Sequence, residues 1–294
     1  MIVVTGATGR LGRRVVQRLH DLAPGQDVVA AARRPGAAAN LGVEVRRADY
    51  DDPSSLVAAF RGAERVLLVS GTEIGQRVRQ HTAAVAAAVE QGVRQVVYTS
   101  APRVDSTALV FGAEHLATER ALRASGLRWT VLRNNWYHEN YAPIIREAAR
   151  TGEFSGSAGQ GRVASAALAD YADAAAIVLA RGGHEDAVYE LAGDVAWTYD
   201  ELAGTIGLVA GRHVVYRDVP NAEHRARLVA GGADPGLVDA VAGIDANIAA
   251  GALERTDGSL RRLLGRPTVR LADAVRAVLG PGDPVGGPRS TPES

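Results

Sequence analysis

The sequence predicts an α/β protein with a Rossmann-type, doubly wound parallel sheet and a small C-terminal α/β lobe. Valine-rich runs alternate with alanine-rich segments of helical period over residues 1–135, a glycine-rich turn follows the first run, and the alternation lapses afterwards. Strands separated by helices form βαβ units, and right-handed crossovers place them in one parallel sheet with helices on both faces. The chain is 47% hydrophobic and 22% charged, which is an ordinary globular composition.

The first 135 residues contain the alternating strands and helices on which this prediction depends. The strands are expected at Ile2–Thr5, Asp27–Ala32, Val43–Arg47, Val66–Ser70, Gln95–Thr99 and Trp129–Leu132. The helices are expected near Arg10–Leu22, Pro53–Phe60, Gly75–Gln91 and Phe111–Ser125. Asp52 followed by Pro53 is typical of an N-cap and a first helical position, so the second helix has a defined start.

The region after residue 135 predicts a lobe that closes over the carboxyl edge of the sheet. Thr198 and Glu201 have the spacing of a capping box, which indicates a helix from about Tyr199 to Val209. The other expected elements are helices at Pro143–Arg150, Ala169–Arg181 and Asn221–Ala230 and strands at Ala187–Leu191 and His213–Tyr216. We therefore divide the chain into a Rossmann core (residues 1–135), the remaining Rossmann elements with the lobe (136–280), and a flexible tail rich in Pro, Gly and Ser (281–294).

The composition argues against several classes of protein. Basic and acidic residues number 33 each and no basic run exceeds a doublet, so nucleic acid is not an expected partner. Cysteine is absent, which excludes disulfides, thiolate catalysis and cysteine-ligated metals. No apolar run approaches the roughly 18 residues of a membrane span, and a strand begins at once, so we expect no signal peptide, no membrane and a cytoplasmic location.

The glycine-rich turn is the strongest motif. Gly6, Gly9 and Gly12 give the spacing GxxGxxG between the first strand and the first helix. In such turns the first glycine permits the tight bend, the second lets the backbone approach a pyrophosphate, and the third lets the helix pack on the sheet. The helix N-terminus attracts the anion. We expect a dinucleotide here, bound by Gly6, Ala7, Thr8, Gly9, Arg10 and Leu11.

The residues after the second strand select the cofactor. NAD-binding folds place an acidic residue there for the ribose hydroxyl, whereas this chain has Arg33 and Arg34. A guanidinium binds a 2′-phosphate through two hydrogen bonds, so Arg33 favours NADPH over NADH. The alternative is an ordinary solvated arginine pair.

Residues at the ends of strands three and four extend the expected cofactor site. Asp49 is placed to accept a hydrogen bond from the adenine amino group, although it could instead cap the following helix. Strand four ends in Ser70, Gly71, Thr72 and Glu73. This edge is expected near the ribose and nicotinamide, because ligands of such sheets lie outside the carboxyl ends of the strands.

Motifs along most of the chain resemble the NmrA-like, atypical branch of the short-chain dehydrogenase/reductases, especially its bacterial quinone reductases. The resemblance rests on MIVVTGATGRLG, AARRP, RRADYDDPSSL, VSGTEIGQR, YTSA, EHLATERAL, LRNNWYHENY and YELAGDVAWTYDELA, in register from residue 1 to about 280. It implies an NADPH-binding core with a C-terminal lobe that forms the quinone pocket. It also implies that the Glu73–Ile74–Gly75 loop and the segment Tyr137–Ala142 line the cofactor, together with Gly6–Leu11 and Arg33.

The chain lacks lysine, since all 33 basic residues are arginine. The Tyr-x-x-x-Lys pair with which related dehydrogenases protonate a carbonyl is therefore absent. A quinone needs little acid assistance, so the protein would mainly supply proximity. His115 aligns with a lysine of the isoflavone-reductase-like relatives and could donate a proton near neutral pH. Alternatively, His115 is a partly exposed helix residue that bonds Glu119.

The segment Asn134–Tyr141 follows strand six at the edge that faces the lobe. Amide side chains bond carboxamides, and flat aromatic rings stack on quinones; we take Asn135 and Tyr137 as cofactor contacts and Tyr137, with His115, as a candidate catalytic residue. Packing of Trp136 and Tyr141 between the lobes is an equal alternative. We expect no metal at His138 and Glu139, because no partner histidine has ligand spacing.

Two other functions remain open at this stage. The protein could be a redox sensor that binds NADP(H) without turnover, because NmrA-like proteins include such regulators. It could also reduce another conjugated electrophile, such as a triarylmethane dye or an enone. The sequence leaves the oligomeric state open.

Overall fold

The computed structural model describes residues 1–106 and 109–280, and the predicted tail at 281–294 lies outside them. The strands are β1 (Ile2–Val4), β2 (Val28–Ala32), β3 (Glu44–Arg47), β4 (Arg65–Leu68), β5 (Gln95–Ser100), β6 (Arg128–Asn134), β7 (Glu153–Gly156), β8 (Ala187–Leu191) and β9 (Val215–Asp218). Seven of them form a parallel sheet in the order β3-β2-β1-β4-β5-β6-β8. This order confirms the predicted doubly wound Rossmann-type fold.

Helices cover both faces of the main sheet. They are α1 (Arg10–Leu22), α2 (Pro53–Phe60), α3 (Arg77–Glu90), α4 (Gly112–Ala124), α5 (Ala142–Thr151), α6 (Leu168–Ala180), α7 (Tyr199–Ala210), α8 (Asn221–Ala230), α9 (Pro235–Ala249), α10 (Ser259–Leu264) and α11 (Leu271–Leu279). One face packs against α1, α6 and α10, and the other against α2, α3 and α4. Ile2 and Val4 belong to the first core and Val3 to the second. Because both faces are covered, the strands β1 and β2 are continuous apolar runs.

A third apolar core lies beside the carboxyl edge of the main sheet. There β7 and β9 pair as a two-stranded parallel sheet, and α5, α7, α9 and α11 pack around it. Its aromatic members include Tyr141, Phe154, Trp197, Tyr199 and Tyr216. In contrast, α6 and β8 belong to the main sheet and its helical cover. The lobe is therefore assembled from segments before and after these two elements. No helix in the described ranges is long and apolar enough to cross a membrane.

The two helix starts that capping signals predicted are confirmed, whereas the helix predicted from Gly75 begins at Arg77. The Asp52 side chain accepts the N–H of Ser55 at the start of α2, and Thr198 and Glu201 form the reciprocal capping box of α7. The strand predicted at His213–Tyr216 begins at Val215, where pairing with β7 starts. The sequence analysis missed a 3-10 turn at Pro35–Leu41 and the elements β7, α9, α10 and α11.

Candidate active site

A cleft of about 740 Å³ runs along the carboxyl edge of the sheet, between the strand ends and the lobe. Its size lies within the range of about 300–1,000 Å³ that is common for ligand sites. Most predicted site residues line it: Gly6, Thr8, Gly9, Arg10, Leu11, Arg33, Asp49, Ser70, Gly71, Thr72, Glu73, His115, Asn135 and Tyr137. Ala7 is instead buried in the core, Ile74 is exposed outside the lining, and Gly75 donates its N–H to Glu114. The tertiary structure thus gathers residues from the ends of five strands and from α4 at one place.

The glycine turn has the geometry that its spacing predicts. Gly6 has a φ of +60°, a backbone conformation that residues other than glycine rarely adopt. A Cβ at Gly12 would lie 2.4 Å from the carbonyl oxygen of Gly6, so only glycine lets α1 start this close to the strand. Among the described residues no side chain caps α1, and its first turn has no acidic residue. The free N–H groups of this turn are therefore available to an anion.

Arg33 lies at the end of β2, and its side chain is 62% exposed. Its Nη1 atom is 3.3 Å from Oε1 of Glu73, which comes from the loop after β4. Arg34 is also exposed but does not belong to the cleft lining. One arginine of the predicted pair therefore lines the cleft and the other faces solvent.

Asp49 lines the cleft after β3, whereas the cap of α2 is Asp52. The Asp49 side chain accepts the N–H of Asp51 at 3.1 Å, so the capping alternative for Asp49 is wrong.

Tyr50, beside Asp49, is a structural link that the sequence analysis did not predict. Its hydroxyl is 2.6 Å from the Thr5 hydroxyl and donates to the Val69 carbonyl at 2.7 Å, and it thereby connects the ends of β1, β3 and β4.

His115 lines the cleft on α4, but its surroundings differ from those expected. Its Nδ1 atom is 2.7 Å from the Tyr98 hydroxyl, and the side chain is almost fully buried. Burial, with the nearby Arg77 guanidinium, lowers the pKa of His115 to about 3. His115 is therefore neutral near pH 7, so a proton that it donates would come from the neutral imidazole. The alternative, a partly exposed His115 bonded to Glu119, is wrong, because His115 is buried and bonded to Tyr98, and Glu119 accepts from Arg133.

Arg133 on β6 binds the carboxylate of Glu119 and two other carboxylates, and only 5% of its side chain is exposed. Its Nε and Nη2 atoms donate to the two oxygens of Glu119 at 2.9 and 2.8 Å. Its Nη1 donates to Glu190 on β8 at 2.9 Å, and Nη2 also to Asp105 at 3.0 Å. Glu190 in turn accepts the N–H of Arg103, a residue with a φ of +50°. This cluster, absent from the sequence analysis, holds the loop after β5 at the cleft.

The amide side chains that follow Arg133 have different roles. Asn135 donates to the Leu253 carbonyl at 3.1 Å and accepts the Trp136 N–H at 2.6 Å, which ties β6 to the lobe. Asn134 also lines the cleft, and its Nδ2 donates to the Tyr137 hydroxyl at 3.3 Å. Within residues 1–106 and 109–280, the buried Oδ1 of Asn134 has no hydrogen-bond partner. Asn134 is thus a candidate contact that the sequence analysis did not select.

The aromatic segment after β6 is divided between the cleft and the lobe core. Tyr137 lines the cleft with its ring 5.0 Å from that of Tyr171, and burial raises the pKa of its phenol. Trp136 lines the cleft too. Tyr141 does not, because it is buried with its ring 4.9 Å from that of Trp197 in the lobe core. Tyr141 is therefore a packing residue, but within the lobe core rather than between the lobes.

His138 is a structural residue of the same segment. Its Nδ1 atom is 2.8 Å from the Ser165 hydroxyl, and its Nε2 is 3.1 Å from the carbonyl of Val269. Among the described residues, no three His, Cys, Asp or Glu side chains are grouped so that they could hold a metal ion.

The two ends of the cleft have different chemistry. The glycine turn, Arg33 and the acidic side chains after β3 and β4 form a polar end. Near the lobe the lining is apolar and aromatic: Leu109, Val110, Phe111, Trp136, Leu168, Ile244 and Leu253. A charged dinucleotide matches the first end, and a flat apolar molecule matches the second.

Comparisons with known proteins agree with this architecture. The model of the NmrA-like family matches residues 1–241. Quinone oxidoreductase 2 of Escherichia coli is 42% identical over 278 residues, which cover 94% of this chain and 97% of that protein. The crystal structure of this relative with NADPH superposes over its full length on 95% of the present chain, with a TM-score of 0.92. Triphenylmethane reductase of Citrobacter sp., solved with NADP(H), is 34% identical with the same coverage and TM-score. The chain therefore belongs to the NmrA-like family, as its motifs predicted.

Proposed function

We propose that the protein transfers hydride from NADPH to a quinone or a similarly conjugated electrophile. The observation that carries this proposal is one continuous cleft that joins the glycine turn and Arg33 to an apolar end formed by the lobe and the loop after β5. The chain is an oxidoreductase of the NADP(H)-using kind, given its 42% identity to quinone oxidoreductase 2 and the NADPH complex of that relative. The lobe would bind the electron acceptor.

The polar end fits the cofactor residue by residue. The uncapped start of α1 with Gly6, Thr8, Gly9, Arg10 and Leu11 would bind the pyrophosphate. Arg33 would bind the 2′-phosphate and Asp49 the adenine amino group, while Ser70, Gly71, Thr72 and Glu73 would lie along the ribose. Among the described residues, one amide hydrogen of Asn135 has no acceptor and Oδ1 of Asn134 has no partner, and this oxygen suits the carboxamide N–H of the nicotinamide.

The acceptor end offers neutral hydrogen-bond donors in place of an acid. When bound, NADPH supplies the hydride. The Tyr137 phenol keeps its proton at neutral pH, because burial raises its pKa. If the Tyr98 hydroxyl donates to Nδ1 of His115, the proton of the neutral imidazole is on Nε2. Both groups could then stabilise charge that develops on a quinone oxygen, which needs little further assistance because its ring delocalises the charge.

The deciding experiment mixes the purified protein with NADPH and 1,4-benzoquinone and follows the absorbance of the reduced nicotinamide. We expect oxidation of NADPH that requires the protein. A triarylmethane dye and an enone, assayed in parallel, define the class of acceptor. NADPH binding without oxidation by any of them would favour the sensor function, and failure to bind NADPH would refute the proposal.

Variants at the acceptor end test the two donors. His115→Ala and Tyr137→Phe should each lower kcat about tenfold, less than the loss for an oxyanion-hole donor, because a quinone is already reactive. Calorimetry should show an unchanged Kd for NADPH in His115→Ala. The pH profile of wild-type kcat should lack an inflection from His115 between pH 5 and 8, since the pKa of this residue is about 3. Full turnover in both variants would remove these residues from the mechanism.

A further inference from the structure

The first turns of α3 contain buried polar side chains that the proposed mechanism does not use. Arg77, Gln80 and His81 are all buried, with His81 0% exposed. A polar group loses its hydrogen bonds to water when it is buried, so it must find partners in the protein. These side chains lie beneath the loop that follows β4, which lines the cleft.

His81 and Arg77 bind the two polar groups of Gly71. The Gly71 N–H donates to Nε2 of His81 at 3.0 Å, and the Gly71 carbonyl accepts from Nε of Arg77 at 2.6 Å. The two side chains are four positions apart and so lie on the same side of α3. A Cβ on residue 71 would be 3.2 Å from Oε1 of Gln80, tighter than an ordinary contact. A side chain at this position would therefore require Gln80 to move by a few tenths of an ångström.

The hydrogen bonds of His81 define one tautomer. Nε2 accepts a hydrogen bond from the Gly71 N–H, so the proton of the neutral ring must be on Nδ1. Nδ1 is 3.0 Å from the Thr118 hydroxyl, and that hydroxyl donates to the Glu114 carbonyl at 3.0 Å. Burial, with nearby positive charge, lowers the pKa of His81 to about 3, so the ring stays neutral.

Glu114 fixes the other end of the same loop. Its Oε2 accepts from Nη1 of Arg77 at 3.0 Å, and its Oε1 accepts the N–H of Gly75 at 2.8 Å. The loop is therefore attached to α3 at Gly71 and to α4 at Gly75. Between these attachments, Thr72 and Glu73 line the cleft.

We propose that His81 is a positioning residue for the cofactor: with Arg77 it holds the Gly71 peptide so that the loop after β4 is already arranged for the dinucleotide. The inference rests on the proposed function, since NADPH is the ligand that this loop would meet. Preorganisation of this kind lowers the cost of ordering the loop when the ligand binds. The acceptor nitrogen, rather than the volume of the ring, carries the effect.

Calorimetric titration of the full chain with NADPH tests the proposal through four proteins. His81→Phe keeps the ring but leaves the Gly71 N–H without an acceptor, and we expect its Kd for NADPH to rise about tenfold. His81→Gln places an amide oxygen near the position of Nε2, and its Kd should stay within about threefold of wild type. His224→Phe is the matched control, because His224 is a buried histidine of the lobe that lies 3.1 Å from Asp245. Its Kd should not change.

The outcomes separate the two proposals. If wild type does not bind NADPH, the proposed function fails. If wild type binds but His81→Phe binds equally well, or His81→Gln is as weak as His81→Phe, the positioning role fails. Nitrogen-15 NMR of histidine-labelled wild type adds a measurement that needs no variant: the proton of His81 should be on Nδ1, and a proton on Nε2 would overturn the inference even where His81→Phe does not fold.

Discussion

The two rims of the cleft are built in different ways. The rim at β1–β3 depends on short-range backbone geometry: Gly9 donates to the carbonyl of Gly6 only three positions away, and α1 follows at once. The rim at β5, β6 and β8 depends on Arg133, whose carboxylate partners are 14, 28 and 57 positions away. The first rim is consequently visible as a motif, whereas the second has no motif, because its members meet only after folding.

The largest expected effect is at the long-range rim. Arg133→Met would leave the buried Glu119 with only the partly exposed Arg123 as a cationic partner, and would remove the arginine that binds Glu190. We expect the free energy of unfolding to fall by about 3–5 kcal/mol, as is typical when one partner of a buried ion pair is removed. Urea unfolding measures this. The control is Arg128→Met at the exposed start of the same strand, which should cost less than about 1 kcal/mol. If both variants lost the same free energy of unfolding, the buried cluster around Arg133 would contribute no more than an exposed ion pair.

The next effect concerns the short-range rim. In Gly12→Ala the added methyl group would lie 2.4 Å from the Gly6 carbonyl oxygen, so α1 must move away from the turn. We expect NADPH binding to weaken about 100-fold, equivalent to about 2.7 kcal/mol. The matched control is Gly204→Ala in α7, where nothing lies within 4 Å of the new Cβ. That variant should be slightly more stable, by up to about 1 kcal/mol, and should bind NADPH normally. Normal binding by Gly12→Ala would show that the turn tolerates a side chain.

A smaller effect is expected from charge reversal at the same rim. Arg33→Asp replaces the guanidinium beside the expected 2′-phosphate with a carboxylate, so the Kd for NADPH should rise about tenfold while that for NADH changes less. Arg34→Asp introduces the same charge at the exposed neighbour outside the cleft lining. It should retain the preference of the wild type. If the ratio of the Kd values for NADPH and NADH were unchanged in Arg33→Asp, Arg33 would not be the residue that binds the 2′-phosphate.

The smallest effect is a pH dependence at the start of α2. Arg47, the Ser54 hydroxyl and the Ser55 N–H lower the pKa of Asp52 to about 2. The lower pKa means that folding stabilises the charged form of Asp52. Its contribution to the free energy of unfolding is therefore fully present above the ordinary pKa of Asp and is lost as the pH falls towards 2. Asp52→Asn should therefore be slightly less stable than wild type at pH 7, and the gap should close below about pH 4. A gap in urea midpoint that is constant with pH would contradict this.

Patterns that are local in sequence predicted much of the fold. Asp52 with Pro53, and Thr198 with Glu201, marked helix starts that the structure contains. The same signal was available for α9, where Asp234 caps the helix before Pro235, and it was overlooked. The pairing of β7 with β9 had no such signal, because each strand has only four residues and its partner lies about sixty positions away.

The sequence by itself determined the glycine turn and the absence of a lysine-dependent acid. Both follow from residue identity alone: only glycine tolerates the backbone of the turn, and a missing side chain cannot act. Only the tertiary structure decided the partners of His115, Asn135 and Arg133, and the neutral state of His115. Desolvation and hydrogen bonding depend on which distant residues are brought into contact, and a linear pattern does not contain those distances.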